Sequence, residues 1–331
     1  MRAAVYPRNG DADVIEIRDV PAPRVGSDDV LVDVAYAGLN RADLLERAGR
    51  YGPPIPDGRF TIPGLEYAGT VGAVGDNVSK ARIGERVFGI ATGGAHAQRI
   101  AVHAGTACAI PAGLSLEAAG AAPEAFMTAW DALVGIARFR LGQVAVVHAI
   151  GSAVGLAALA LAKHAGGRVL GTSRSADKLR RAEALGLDAG VLLDDDWPRR
   201  AHELSGGRGA DVALDFVGTP IFQRNVDALA VGGTIVQIGT LGGARGEISF
   251  RSFMAKRLSL VGTVLRSRPI DQKIALARGF QASIVPLFGS GVLRPVVDRV
   301  FPLAQIREAH RYMEADRNFG KIVIAIRQPD N

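Results

Sequence analysis

The length, composition and charge of the chain exclude several classes of protein. It has 331 residues, of which 48% are hydrophobic and 22% charged, with a formal net charge of +6. This composition is typical of a globular protein, and the length predicts two domains. No apolar run is long enough to cross a bilayer. The basic residues are scattered among acidic ones, so we expect no nucleic-acid partner.

The amino-terminal sequence and the cysteine content indicate the cellular compartment of the protein. The sequence MRAAVYPRNGDADV has no apolar core followed by small residues, so no secretory signal is expected. Cys108 is the only cysteine and cannot form an internal disulfide. A cytoplasmic protein is therefore expected.

The first 120 residues or so contain short apolar runs separated by glycine. Residues 30–36 are typical of a strand, and residues 64–78 and 84–90 follow the same pattern. One helix is expected near residues 41–48. Many short strands with glycine turns predict a small barrel-like β domain.

From about residue 125 to residue 265, strands alternate with helices. Ser175 precedes one helix and Gly186 follows it, as cap residues do. This alternation predicts an α/β fold with a parallel, doubly wound sheet. The predicted strands are 144–148, 169–172, 191–193, 212–216, 234–238 and 258–262, and the clearest helices are 154–165 and 175–186.

The tail beyond residue 265 begins with a long helical stretch. A strand at 296–300, a helix at 303–314 and a strand at 321–326 follow. We expect this tail to return to the first domain.

The junction after the first strand of the predicted sheet is VVHAIGSAVG, residues 146–155. A dinucleotide loop usually has G-x-G-x-x-G there. The amino terminus of the next helix offers free N–H groups and a partial positive charge to a pyrophosphate. Gly155 suits a close contact between helix and strand, and Ser152 and Ala153 are small enough to let the backbone approach. The junction predicts a pyrophosphate site, with a plain β–α turn as the alternative.

The residues after the second strand indicate which dinucleotide binds. An NAD site has Asp or Glu there to accept from the ribose 2′-hydroxyl. This chain has GTSRS at 171–175 and then Lys178. Ser173, Arg174 and Lys178 can donate to a 2′-phosphate, which predicts NADPH. The alternative is that Arg174 and Lys178 are the solvated start of a helix.

Five stretches carry a resemblance to a known family: AGLNRADLLERAGRYGPP (37–54), IPGLEYAGTV (62–71), PEAFMTAW (123–130), LRSR (265–268) and EAHRYMEADRNFGKIV (308–323). With these stretches the chain resembles the medium-chain dehydrogenase/reductase superfamily. The resemblance is strongest to its zinc-free quinone oxidoreductase branch, which includes zeta-crystallin, and there to the tumour-suppressor-inducible subgroup. It implies a GroES-like catalytic domain at 1–122, a Rossmann NADPH-binding domain at 123–265, a return of 266–331 to the catalytic domain, and a homodimer.

The resemblance also implies site residues. Tyr51 and Ser152 match positions with catalytic or quinone-facing roles, and Asn40 is placed to orient substrate or ribose. Three positions depart from the subgroup: Ala153 replaces a glycine, Glu85 replaces an aspartate, and Leu193 lies near a usual tyrosine. The expected cofactor-lining residues are Asn40, Thr128, Ser152, Ala153, Val154, Ser173, Arg174, Lys178, Val217, Gly239, Thr240, Leu241, Leu265, Arg266, Asn318 and Lys321.

No metal is expected. Zinc-dependent relatives need a Cys/His/Cys-type ligand set, and at the first two of those positions this chain has Asn40 and Leu65. Cys108 stands alone, and the histidines at 96, 103 and 148 show no ligand spacing. Without a Lewis acid, reduction of an electrophilic acceptor is more favourable chemistry than oxidation of a simple alcohol.

The sequence therefore predicts an NADPH:quinone reductase in which Tyr51 donates a hydrogen bond or a proton to the oxygen that becomes negative. Simple ring packing is the alternative for Tyr51, and helix capping is the alternative for Ser152. An enone or enoyl reductase is a second enzyme that the same motifs predict. A non-catalytic NADPH-binding redox sensor is the alternative of another class.

Overall fold

The chain forms two compact units. The computed structural model describes residues 1–52, 55 and 58–327. One unit consists of Met1–Met127 with the described part of Arg266–Asn331, and the other of Thr128–Leu265. Pro53 and Pro54, which end the stretch 37–54, lie outside the described residues. Within the described ranges, no helix has the length and apolar character needed to cross a membrane.

The segment before residue 128 contains more strand than helix. In its longest strand Val30, Val32 and Val34 are buried, because alternate side chains of a strand face the same side and here face the core. The elements are β1 (Arg2–Val5), β2 (Glu16–Asp19), β3 (Asp29–Leu39), α1 (Arg41–Arg47), β4 (Glu66–Val74), β5 (Arg86–Ile90), β6 (Arg99–His103), β7 (Cys108–Ala109), α2 (Leu116–Gly120) and α3 (Pro123–Trp130).

The segment Thr128–Leu265 alternates strands with helices. A π-helical turn, Asp131–Ile136, follows α3 and was not predicted. The elements after it are β8 (Val144–Val147), α4 (Ala153–His164), β9 (Arg168–Ser173), α5 (Ala176–Glu183), β10 (Ala189–Leu192), α6 (Trp197–Leu204), β11 (Ala210–Asp215), α7 (Phe222–Ala228), β12 (Leu229–Gln237), α8 (Phe250–Ala255) and β13 (Ser259–Gly262).

These six strands form one parallel sheet in the order β10-β9-β8-β11-β12-β13. The chain proceeds outward from β8 in one direction and then from β11 in the other, which places the reversal of strand order between β8 and β11. Ligands of open α/β sheets bind at the carboxyl ends of the strands near such a reversal. The predicted α/β fold with a doubly wound parallel sheet is confirmed.

The tail pairs with the first segment. It contains α9 (Ile270–Ser283), α10 (Val285–Gly289), β14 (Val297–Pro302), α11 (Ile306–Glu314) and β15 (Lys321–Ala325). Strand β15 pairs antiparallel with β3, giving the sheet order β14-β15-β3-β4-β5-β7, with β6 also paired to β3. The strand that begins with Lys321 therefore lies beside the strand that ends just before Asn40.

Candidate functional site

The carboxyl edge of the parallel sheet collects most of the predicted cofactor residues. Because the strands are parallel, the residues that end or follow them lie along one edge. One further predicted cofactor residue, Thr128, is not at the end of a strand but is buried in α3. The residues at the edge are Ser152, Ala153 and Val154 after β8; Ser173, Arg174 and Lys178 at β9; Val217 after β11; Gly239, Thr240 and Leu241 after β12; and Leu265 after β13.

The loop after β8 brings the backbone of α4 very close to the strand. Ala149 has a positive φ of 47°, and the Ser152 hydroxyl accepts from the Gly155 N–H at 3.0 Å. A Cβ at Gly155 would be 2.7 Å from the Ala149 carbonyl oxygen, so only glycine permits this approach. The first N–H groups of a helix have no carbonyl partner inside it. Small side chains and a capped helix start therefore suit an anionic group here.

The end of β9 supplies hydrogen-bond donors next to this loop. Arg174 is exposed and Lys178 is half-buried. A Cβ at Gly151 would be 2.9 Å from Lys178 Cδ, so the aliphatic part of that lysine lies over the loop. Asp177, in the first turn of α5, forms an ion pair with Arg180 at 3.0 Å. This donor set has the charge that the predicted 2′-phosphate site requires.

A buried ion pair forms the centre of a polar cluster in the β-rich unit. The Lys321 ammonium donates to Glu66 Oε1 at 2.5 Å and to Asn40 Oδ1 at 2.7 Å. Asn40 Nδ2 donates to the same Glu66 oxygen at 2.9 Å, and the Glu124 backbone N–H donates to Glu66 Oε2 at 2.9 Å. Any side chain at Gly38 would overlap the Glu66 carboxylate, so glycine is required next to it.

The polar cluster does not fit a zinc ion of the kind that zinc-dependent relatives hold. Zinc takes Cys, His or carboxylate ligands. Of the residues at or next to the first two ligand positions of those relatives, only Glu66 belongs to that set, and it is paired with an ammonium. Among residues 1–52, 55 and 58–327, no group of three or more His, Cys, Asp and Glu side chains is placed to hold a metal.

Arg266 forms a second ion pair of the same unit, which we count with the polar cluster, and Tyr51 packs on it. Its guanidinium forms an ion pair with Glu46 and donates from Nε to the Thr92 carbonyl at 2.9 Å. It also lies 5.2 Å from the centre of the Tyr51 ring, within cation–π range. Gly52 has φ 81°, and a side chain there would be 3.1 Å from Arg266 Nη1. The glycine after Tyr51 therefore allows the tyrosine to pack on the arginine.

Burial shifts the proton affinities of several acids in the cluster. It raises the pKa of Glu124 to about 8, with Glu66 acting in the same direction and Lys321 against it. It raises the pKa of Asp43 to about 7, although the Asn40 and Gly64 N–H groups lower it. It also raises the pKa of Tyr51, and of the neighbouring charges Glu124 has the largest effect on this hydroxyl. The cluster therefore has acidic groups that hold protons near neutral pH.

A buried histidine of this unit, His96, behaves in the opposite way. His96 is fully buried, its Nε2 lies 3.2 Å from the Gly38 carbonyl, and burial lowers its pKa to about 4. A buried histidine becomes neutral because desolvation penalises its charged form.

Several residues that the sequence predicts to bind cofactor or substrate form hydrogen bonds within the protein. The Asn318 amide donates to the Gly320 carbonyl at 2.9 Å, and the Ser152 hydroxyl caps α4. Lys321 has two of its three N–H bonds committed, and no described residue accepts the third. The roles of these residues in chemistry or in cofactor binding stay predictions.

The sequence analysis missed the acids of the cluster. Asp43 and Glu46 are buried on α1, and Glu124 begins α3. Charged residues on the inward face of a short amphipathic helix are a signal that such groups have partners. The cation that pairs with Glu46 is Arg266, 220 residues away in the sequence, so no local pattern identifies it.

The comparisons with known proteins agree with the two units. Residues 26–138 match the family described as alcohol dehydrogenase GroES-like domain, and residues 153–279 match the family described as zinc-binding dehydrogenase. The fold and these matches define an oxidoreductase with a GroES-like unit and a unit that binds a nicotinamide adenine dinucleotide. The predicted GroES-like and Rossmann folds are thereby confirmed.

Similar proteins indicate to which group of oxidoreductases the chain is related. The mouse protein "Quinone oxidoreductase-like protein 2" is 30% identical over 317 residues, which cover 95% of this chain and 89% of that protein. A segment of a phenolphthiocerol/phthiocerol polyketide synthase of Mycobacterium tuberculosis is 32% identical over 324 residues, 96% of this chain but 14% of that protein. The chain belongs to the medium-chain dehydrogenase/reductase superfamily and is related to its quinone oxidoreductase branch.

Solved structures show the same fold over the whole chain. A protein described as an NAD-dependent alcohol dehydrogenase has a TM-score of 0.87 at 33% identity, covering 98% of this chain and 99% of its own. A mycobacterial protein solved in complex with NADPH has a TM-score of 0.86 at 26% identity, covering 98% of this chain and 100% of its own. The neighbours thus include proteins described with each of the two dinucleotides.

Proposed function

We propose that the chain is an NADPH-dependent reductase that transfers a hydride to quinones without zinc. The observation that carries the choice of NADPH is the end of β9, where Ser173, Arg174 and Lys178 lie beside the loop after β8. Guanidinium and ammonium groups bind a 2′-phosphate, whereas an NAD site has a carboxylate for the free hydroxyl.

The polar cluster supports reduction of an electrophilic acceptor. When bound, the dinucleotide supplies the hydride. Negative charge then develops on the acceptor oxygen, and the Tyr51 hydroxyl donates to it while the buried cations Lys321 and Arg266 favour that charge. One NADPH, one proton and one quinone give NADP⁺ and the hydroquinone, so the protein has to deliver a single proton.

The proposal is tested by measuring NADPH and NADH oxidation with a panel of 1,2- and 1,4-quinones. Turnover with NADPH at least tenfold more efficient than with NADH, on at least one quinone, is expected. Tight NADPH binding with no turnover on any quinone or enone contradicts it and supports the redox sensor. Stoichiometric zinc that is found by elemental analysis and is required for turnover contradicts the zinc-free mechanism.

An enone or enoyl reductase is the second candidate. The observation that favours it is the match of 96% of the chain to one segment of a polyketide synthase. A conjugated carbonyl has the same electrophilic pattern as a quinone, and its oxygen would use the same Tyr51 donor. A kcat/KM for a conjugated enone or enoyl thioester that exceeds every quinone value would favour this candidate.

We also propose a homodimer in the cytoplasm. Strand β13 is exposed at the edge of the parallel sheet, with Leu260 and Val261 46% and 36% exposed. On α8, Phe250 and Met254 are 60% and 70% exposed. An open apolar edge strand is a ready site for pairing with a second copy. Light scattering should give about twice the chain mass of 34.6 kDa, and a Val261→Lys variant should dissociate.

A further inference from the structure

A buried chain of hydrogen bonds runs beneath the carboxyl edge of the parallel sheet. His148 follows β8, and its Nδ1 and Nε2 lie 2.7 Å from Thr172 Oγ1 and 2.7 Å from Asn225 Oδ1. The Asn225 amide donates to Asp215 Oδ2 at 2.9 Å. All four side chains are fully buried. This buried polar chain, Thr172–His148–Asn225–Asp215, is not used in the proposed reaction.

The chemistry of its end residue fixes the direction of every hydrogen bond. The Asp215 carboxylate only accepts, so Asn225 must turn its NH₂ toward it and its carbonyl oxygen toward His148. That oxygen requires a proton on His148 Nε2, and Nδ1 must then accept from the Thr172 hydroxyl. A single neutral tautomer of His148 satisfies all the groups.

The surroundings keep this imidazole neutral and oriented. Burial lowers the pKa of His148 and Arg224 of α7 acts in the same direction, whereas Asp215 of β11 and the Asn225 bond oppose them. The Trp197 indole of α6 packs edge-on against the ring, with the two centres 4.8 Å apart.

The buried polar chain reaches three loops at the candidate cofactor edge. His148 immediately precedes the loop after β8, and Thr172 immediately precedes Ser173 at the end of β9. Asp215 Oδ1 accepts from the Val217 and Gly218 N–H groups at 2.6 and 2.9 Å, which shapes the loop after β11. Strands β9, β8 and β11 are neighbours at the reversal of strand order.

We propose that His148, held in its Nε2–H tautomer, is a positioning residue for the dinucleotide, because it keeps these three loops in their binding arrangement before the cofactor arrives. This rests on the proposed function in one respect, that the edge binds NADPH. Preorganised loops reduce the ordering cost of binding. None of the four side chains belongs to the donor set that distinguishes the 2′-phosphate. Loss of the buried polar chain should therefore weaken NADPH and NADH by the same factor.

The experiment compares Thr172→Val, which keeps the shape but removes the hydroxyl donor, with Thr172→Ser, which keeps it. Dissociation constants for NADPH and NADH are measured by calorimetry, and kcat at saturating NADPH is measured with a quinone. For Thr172→Val we expect both dissociation constants to rise about tenfold, with their ratio and kcat unchanged. For Thr172→Ser we expect values within twofold of the parent. Unchanged affinities, or a loss confined to NADPH, overturn the proposal.

A second measurement uses the cofactor-free parent protein and needs no variant. The imidazole ¹⁵N shifts of His148 should report the Nε2–H tautomer, with Nδ1 unprotonated, at neutral pH. An Nδ1–H tautomer or a charged ring overturns the assignment even if Thr172→Val does not fold. If the tautomer is as proposed and neither dinucleotide binds the parent protein, the proposed function fails while the hydrogen-bond assignment stands.

Discussion

The carboxyl edge of the parallel sheet and the polar cluster of the β-rich unit differ in how they handle charge. At the edge, backbone N–H groups and the exposed Arg174 lie near the surface. The small side chains leave room there for an anion that comes from solvent. In the polar cluster, Glu66, Lys321 and Glu46 are at most 4% exposed; Lys321 pairs with Glu66, and Arg266 pairs with Glu46. The edge presents its polar groups near the surface, whereas the polar cluster encloses its charges where water screens them less.

The largest expected effect is on the polar cluster. Lys321→Met leaves the Glu66 carboxylate buried without its cation, and breaking a buried pair in this way costs about 3–5 kcal/mol. We expect the free energy of unfolding of the β-rich unit to fall by that amount in urea titrations. Lys80→Met, the same change at an exposed lysine, should stay within about 0.5 kcal/mol of the parent.

A double variant sharpens this test. Glu66→Gln added to Lys321→Met removes the stranded charge while its amide oxygen still accepts from Asn40. It should recover a substantial part of the lost free energy. Equal stability of the Lys321→Met variant and the parent would show that the pair is not enclosed, and the contrast with the sheet edge would disappear.

The second effect concerns the chemistry assigned to the cluster. Tyr51→Phe removes the hydroxyl and keeps the ring on Arg266, so we expect kcat with a quinone to fall about 100-fold, the lower end of what a general acid contributes. The dissociation constant for NADPH should change less than twofold. Tyr36→Phe, a tyrosine of β3, serves as the matched control. An unchanged kcat in Tyr51→Phe would assign the ring to packing alone.

These two regions were not equally predictable from the sequence. The loop after β8 and the end of β9 were found because strand–turn–helix patterns are local and small or basic residues mark them within a few positions. Asn40 and Lys321 were named as cofactor residues, but the contact of Lys321 with Glu66 joins positions 255 residues apart. The paired cluster depends on β15 returning beside β3, and no local spacing encodes that pairing.

The third effect is confined to the sheet edge. Arg174→Ala with Lys178→Ala removes two charged donors, each worth about 1.5–3 kcal/mol when bonded, less the screening that an exposed site suffers. We expect the NADPH dissociation constant to rise about 30-fold and the NADH value to change less than twofold. Arg199→Ala with Arg200→Ala on α6 makes the same change in net charge and should leave both values unchanged. Equal losses for the two dinucleotides would refute the assignment of the 2′-phosphate donors.

The last effect, which depends on pH, tests whether the polar cluster holds a proton near neutral pH. The pKa of Glu124 is about 8 in the folded chain against an ordinary value of 4.5. Between these values the folded state keeps a proton that the unfolded state has released. The contribution of this group to stability is therefore complete below about pH 4.5 and is lost as the pH rises through 8.

Glu124→Gln removes this titration, because its amide stays neutral at every pH. The variant and the parent should have free energies of unfolding within about 1 kcal/mol of each other at pH 5, and the variant should become the more stable one as the pH rises to 9, by at most about 5 kcal/mol, since each of the 3.5 pKa units corresponds to about 1.4 kcal/mol. Asp43, whose pKa of about 7 falls in the same window, is present in both proteins, and its charge raises the pKa of Glu124, so the difference between the two proteins includes this coupling. Glu117→Gln removes the same charge from the first turn of α2 and controls for the helix start. A variant that is less stable than the parent at pH 9 would mean that Glu124 is ionised and paired in the folded chain, and the polar cluster would then not hold this proton near neutral pH.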